Sequence, residues 1–257
     1  MSAFTLPIRF SHLRAYGRSA LHGFHARQTE AEQTVAMQRG TAVHALLFGN
    51  RKVAGWDGAV RRGKAYDEFA AANPDVEILT ASEYEKSCKM AQAVRDSKVA
   101  APYLEGVTEQ TIRFKWYGRE CRATPDIRGH KRVVELKTSN TSDPERFPWQ
   151  SLKMKYHAQL RMQQIATAED AEEAYVIVVE SAEPFPVTVF RVTDEALVDG
   201  EKCLVAWMER LVTCEKSQYW PPYVECVVPL DVPRDDELEY DEPAEDIDPQ
   251  LIHGLQA

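Results

Sequence analysis

Two carboxylates and an ammonium, Asp126, Glu135 and Lys137, fall close enough along the chain to share one site. Glu135 and Lys137 are two apart in the run Val133-Val134-Glu135-Leu136-Lys137. In a strand they project from one face, while Val134 and Leu136 enter a core on the other. A turn at Gly129-His130 closes a hairpin that brings Asp126 beside Glu135. Carboxylates held this close repel unless a cation lies between them, and hard oxygen ligands with an incomplete shell suit magnesium, which keeps waters and accepts phosphate oxygens. Bound metal lowers the pKa of water, and an ammonium such as Lys137 can orient that water or neutralise a developing oxyanion. The chemistry indicated is hydrolysis of a phosphate ester. The alternative at this level is a turn aspartate next to an exposed Glu–Lys pair on an edge strand.

Charge has to be read by position. The 257 residues carry a net charge of -9, but Leu230 to Ala257 hold ten acidic residues and one basic, and the rest of the chain is neutral. Arg113 to Arg161 contains twelve Lys/Arg against five Asp/Glu, so positive charge surrounds the candidate residues, where a phosphate backbone would meet it. Five cysteines, widely spaced and without a CxxC pair, indicate neither a disulfide framework nor a zinc site, and they lack the clustering that an iron-sulfur cluster requires. The longest purely apolar stretch, Ala174 to Val179, is far short of the roughly 20 residues of a membrane span, which points to a soluble, cytoplasmic protein.

The elements that position these residues follow from periodicity. Ser11 caps a short helix to about Gly17, and Gln33 to Phe48 reads as a helix with Val35, Val43, Leu46 and Leu47 toward the core. Arg51 to Gly63 reads as a loop or short hairpin, and Ala81 to Val99 as a helix with a Ser82/Glu85 capping box. Alternation then predicts three successive antiparallel strands between about Glu109 and Thr138, with turns at Gly118 and Gly129-His130. Trp149 to Ala168 reads as one long helix with a basic polar face. Strands at Tyr175–Glu180 and Val187–Thr193 follow, then a helix capped by Asp194 and running to about Lys216. One domain spans 1–229, and 230–257 is an acidic tail of disordered composition.

Taken in order, Gly40-x-x-x-His44, Glu109, Cys121-Arg122-Ala123-Thr124-Pro125-Asp126, Val134-Glu135-Leu136-Lys137-Thr138 and Tyr156-His157-Ala158-Gln159 resemble the PD-(D/E)XK nuclease superfamily. Within it they are similar to the RecE/exonuclease VIII-like phage recombination exonucleases of the RecB-like branch, over about Ser11 to Val192. The resemblance implies an α/β (α+β) restriction-endonuclease-like core, a central mixed β-sheet flanked by helices. It also implies a two-metal site using Mg²⁺, for which Mn²⁺ can substitute, held by Asp126, Glu135 and the Leu136 carbonyl and completed by His44. Lys137 and Gln159 would act beside the metal, Gln159 positioning DNA or the lysine. Glu109 is either a supporting or second-metal carboxylate or a solvated residue at a strand start, and the basic residues Lys153, Lys155 and Arg161 of the long helix, with Arg122, either follow the DNA backbone or form a plain solubilising surface. RecB-like members often carry Tyr four residues after the Gln, whereas Gln159 is followed by Gln163 and Tyr156 lies before it. The implied activity is exonucleolytic cutting of linear double-stranded DNA, 5′ to 3′, leaving single strands for an annealing partner, by a ring-shaped homo-oligomer. A structure- or sequence-specific endonuclease of the same fold, and a non-catalytic binding module on a nuclease scaffold, are the alternatives.

Overall fold

A computed structural model describes residues 6–29, 34–49, 51–58, 60–168 and 170–230. In chain order the helices are α1 (Phe10–Arg18), α2 (Ala20–Gln28), α3 (Val35–Phe48), α4 (Lys64–Ala72), α5 (Ala81–Asp96), α6 (Phe147–Met154), α7 (Tyr156–Ala166) and α8 (Asp194–Ser217). The strands are β1 (Lys52–Trp56), β2 (Val76–Thr80), β3 (Val107–Thr108), β4 (Ile112–Trp116), β5 (Arg119–Ala123), β6 (Ile127–Gly129), β7 (Arg132–Ser139), β8 (Glu173–Glu180) and β9 (Val187–Arg191). Packing divides the chain into one unit of residues 1–223 and a second from Val224 onward. The acidic tail expected beyond Leu230 lies outside the described residues.

The first unit is organised by a five-stranded sheet in the order β3-β6-β7-β8-β9. β7 and β8 run parallel along their whole length, Arg132 facing Glu173 and Ser139 facing Glu180, and the other pairings are antiparallel. A parallel central pair must be buried on both faces, and both are covered. Val134, Leu136, Ile177 and Val179 pack against Val43 of α3 and Met90 and Val94 of α5. Val133, Val176 and Val178 point the other way, onto Phe147 of α6, Leu160 of α7 and Leu197 of α8. Each such side chain contributes about 1.5–3 kcal/mol by leaving water. Because side chains alternate, Glu135 and Lys137 share the α7 side of β7 with Val133. The pattern thus sends two charged groups under a helix, where only polar partners can make their burial tolerable.

Several expectations are corrected. The three successive strands do not form one meander: β4 and β5 make a separate hairpin, and the chain leaves β5 at Thr124-Pro125-Asp126 before β6 joins the main sheet. Pro125 offers no N–H to continue a ladder. Arg51–Gly63 is not a loop throughout, because β1 pairs in parallel with the distant β2. The single helix expected over Trp149–Ala168 breaks at Lys155, which is left-handed at φ 61°, giving α6 and α7. The capping residues are Thr80 for α5 and Thr193 for α8, whose hydroxyls accept from Glu83 N and Ala196 N, in place of Ser82 and Asp194. α1 begins one residue before Ser11, and Val35 is exposed at the start of α3. α2 and α4 are additional helices. Among the described residues no helix is long and apolar enough to cross a membrane.

Candidate active site

Asp126 sits at the entry to β6, opposite the middle of β7, because Ile127 pairs with Val134. Its Oδ2 accepts from the Leu136 backbone N–H at 2.7 Å, which locks the carboxylate onto β7. α3 brings His44 to the same place: a Cβ on Gly40, one turn earlier, would stand 3.4 Å from Thr138 Oγ1, so the helix runs close to β7 at that turn. His44 Nε2 is 3.1 Å from the Leu136 carbonyl, and Nδ1 is 3.4 Å from Asp126 Oδ1 and 3.7 Å from Glu109 Oε1. Glu109 is held by its own backbone, with N–H donating to the Asp126 carbonyl at 3.0 Å. It adopts a left-handed φ of 48°, a conformation that a non-glycine residue keeps only when its surroundings impose it.

Burial opposes charge on His44, yet Asp126 and Glu109 outweigh it and raise the imidazole to about 10. Burial likewise opposes charge on Asp126, but His44, Lys137 and the Leu136 N–H hold its carboxyl below the usual range. This corner calls for positive charge, and the His44 proton supplies it. Among the described residues no three His, Cys, Asp or Glu side chains stand in ready metal-holding geometry. The donor chemistry of His44, Asp126, Glu109 and the Leu136 carbonyl, an imidazole with hard oxygens, fits a divalent cation once that proton is lost.

Beside this corner, Glu135 is 2% exposed and almost fully engaged. Its Oε2 accepts from Lys137 Nζ at 2.5 Å and from Gln159 Nε2 at 2.9 Å, and its Oε1 from Gln163 Nε2. Burial, then the Asp126 charge, push the Glu135 carboxyl up. Burial works against the Lys137 ammonium, but Glu135 and Asp126 more than compensate, and its pKa is raised. Lys137 also lies 5.0 Å from the centre of the Tyr156 ring, whose face favours a cation. The left-handed break at Lys155 starts α7 at Tyr156, placing that ring, Gln159 and Gln163 along the helix face over Glu135 and Lys137.

The group opens into a cleft of about 680 Å³. Lys137, Gln159, Gln163, Tyr156 and Glu109 line it together with four arginines, Arg9, Arg14, Arg51 and Arg122. The segment at Ile8 joins β5 through Ile8 N to Glu120 O and Arg122 N to Ile8 O, both 2.8 Å, which puts Arg9 and Arg122 on neighbouring chain segments. Of the basic residues named from the sequence, Arg122 reaches the cleft. Lys153 is exposed on α6, and Lys155 is half-buried at the helix break. Arg161 instead pairs with Glu201 at 2.7 Å, in a different depression alongside Trp116. Arg9, Arg14, Arg51 and Gln163 were not assigned roles from the sequence. Only Gln163 carried a local signal, its place one helical turn after Gln159.

The family model described as PDDEXK-like domain of unknown function (DUF3799) matches residues 10–228. Among curated protein sequences none matches significantly. Among solved structures, a protein of Eubacterium rectale provisionally named an exonuclease has a TM-score of 0.60 at 13% identity, covering 88% of this chain and 91% of its own. A phage-related exonuclease of Haemophilus somnus gives 0.40 at 13% identity over 83% and 97% of the two chains. An alkaline exonuclease of Laribacter hongkongensis gives 0.35 at 13% identity over 82% and 91%. The overall fold is similar to that of the Eubacterium rectale protein, and with the family model spanning nearly the whole described chain, this protein belongs to the PDDEXK-like family, a PD-(D/E)XK fold.

Proposed function

We propose that the chain is a divalent-metal-dependent deoxyribonuclease that degrades linear double-stranded DNA from its ends. The observation that carries this reading is the convergence of Asp126, Glu135, Lys137 and His44, of which Lys137 opens into a cleft lined by four arginines. Asp126, Glu135, His44, the Leu136 carbonyl and Glu109 would hold Mg²⁺, with Mn²⁺ able to substitute. When bound, the cation supplies a Lewis acid and a water of lowered pKa. Lys137, kept protonated by its carboxylate neighbours, stabilises negative charge developing on the phosphate or orients the attacking water. Gln159 holds Glu135 and so sets the lysine. Arg9, Arg14, Arg51 and Arg122 offer cations to the DNA backbone.

Attack at ends, the 5′ to 3′ direction, the supply of single strands for an annealing protein and a ring-shaped homo-oligomer are supported by the resemblance to RecE-like exonucleases. The name of the Eubacterium rectale protein agrees with end-directed cutting. The test is digestion of end-labelled linear duplex with Mg²⁺, beside closed circular duplex and the Asp126→Ala and Lys137→Ala variants. Release of label from one end type, intact circles, and loss of cutting in both folded variants are expected. Cutting of circles would make the enzyme an endonuclease, and full activity of Asp126→Ala would overturn the site.

A further inference from the structure

Gln163 is almost fully buried, at 3% exposure, on the face of α7 that carries Gln159. Its amide orientation is fixed by chemistry. With Glu135 ionised in its pair with Lys137, Oε1 only accepts, so Nε2 must point at the carboxylate, and the reverse orientation would set two acceptor oxygens against each other. The outcome is that Gln163 Oε1 is left buried with no hydrogen-bond partner among the described residues, in a side chain that lines the cleft. A buried amide oxygen without a donor is costly, and a residue serving only to fill space would be better apolar. Its neighbours on α7, Leu160 and Met162, show that apolar side chains are accommodated there.

We propose that Gln163 is a positioning residue of this site, acting at both ends of its amide. The N–H fixes the Glu135 oxygen that neither Lys137 nor Gln159 holds, and the amide oxygen, closed off from open solvent, accepts a hydrogen bond from one enclosed water at the wall of the cleft. A water donating one hydrogen to that oxygen keeps its lone pairs available toward a bound phosphodiester. The two glutamines divide the carboxylate between them: Gln159 shares Oε2 with Lys137, and Gln163 takes Oε1. Rotation of Glu135 is thereby blocked, and Lys137 keeps one fixed partner. The water-holding part rests on the nuclease reading above; the clamp on Glu135 does not.

Two measurements test it. In steady-state digestion of linear duplex with Mg²⁺, Gln163→Met, which conserves volume and removes both hydrogen-bonding ends, is expected to lower kcat at least tenfold with KM within twofold. Gln163→Glu, which keeps an acceptor but faces Glu135 with a second carboxylate, is expected to lower it further. In the metal-free wild-type protein, a Gln163 side-chain N–H proton is expected downfield of every exposed glutamine amide, as a donor to a buried carboxylate should be. Unchanged kcat in folded Gln163→Met, or a Gln163 amide resonating among the exposed ones, overturns the proposal. If the wild type cuts no DNA at all, the nuclease reading fails, and the resonance position still decides whether the clamp exists.

Discussion

At the scale of single residues, burial makes each charged group of the site depend on a named partner. Lys137 is tied to Glu135 at 2.5 Å, and neither is well solvated. Exchanging Glu135 for Gln keeps the shape but leaves the ammonium buried without its direct counter-ion, and breaking a buried pair in this way costs about 3–5 kcal/mol. Glu135→Gln should therefore unfold at clearly lower urea concentration, by about 3 kcal/mol. A variant as stable as the wild type would mean that water already screens the pair. His12, away from this pair, gives a separate dependence on pH. Burial, then Arg9, Arg27 and Arg122, lower its imidazole from 6.5 to about 4, and its Nε2 accepts from Arg9 Nε at 2.9 Å. The folded state therefore binds the proton less readily than the unfolded chain. The His12 contribution is complete above pH 6.5 and is lost as pH falls from 6.5 toward 4. Between pH 7.5 and 5 the loss should be at most about 2 kcal/mol. His12→Gln, which keeps an acceptor for Arg9 but cannot be protonated, should lose correspondingly less stability over that interval in urea titrations. Parallel pH profiles would remove His12 as the cause.

At the scale of elements, the site depends on where α7 lies, and α7 is held against α8 by a glycine. A Cβ on Gly200 would stand 2.8 Å from the His157 carbonyl oxygen and 2.9 Å from Ala158 N and Cα, all backbone atoms that cannot swing aside. Gly200→Ala must push the helices apart, and overpacking of this kind costs about 1–3 kcal/mol. The displacement reaches Gln159 and Gln163, so activity on linear duplex should fall together with the melting temperature. Wild-type activity and stability would show that the two helices separate freely. The same elements explain what was legible in the sequence. Val134 to Lys137 alternates, and the turn expected at Gly129-His130 falls one residue later, at His130-Lys131, because Gly129 still pairs with Arg132; β7, its hairpin with β6 and the meeting of Asp126 with Glu135 could therefore be read locally to within a residue. His44 and Glu109 were reachable only through the resemblance, since nothing near them in sequence says that α3 crosses β7. The helix break at Lys155 left no trace, because a lysine at positive φ replaces the glycine that would have signalled it. β1 was hidden for a different reason: its partner β2 is remote, and strand pairing is a long-range property. Arg9 and Arg14 come from α1 and its N-cap, Arg51 from just before β1 and Arg122 from β5, so the arginines of the cleft share no pattern in the sequence.

At the scale of the whole molecule, charge is divided between two parts of the chain. The residues before Leu230 are neutral in sum, while those from Leu230 onward carry the entire net -9. The body nevertheless brings Arg9, Arg14, Arg51 and Arg122 together at the cleft, so a polyanion would be attracted there. If that segment reaches the cleft, it competes with phosphate for the same arginines. Truncation after Pro229 should then tighten binding of a short linear duplex at low salt, on the order of tenfold. The gain should shrink as ionic strength rises, because charges more than about 8 Å apart are screened at physiological salt. A tail that merely adds repulsion at long range gives a similar low-salt gain but leaves the site no more accessible to a small anion. Competition by pyrophosphate for the cleft therefore separates the two: truncation should tighten pyrophosphate binding if the tail occupies the arginines, and leave it unchanged if it does not. Identical duplex affinity with and without residues 230–257 at low salt would place the acidic segment outside the electrostatic reach of the site.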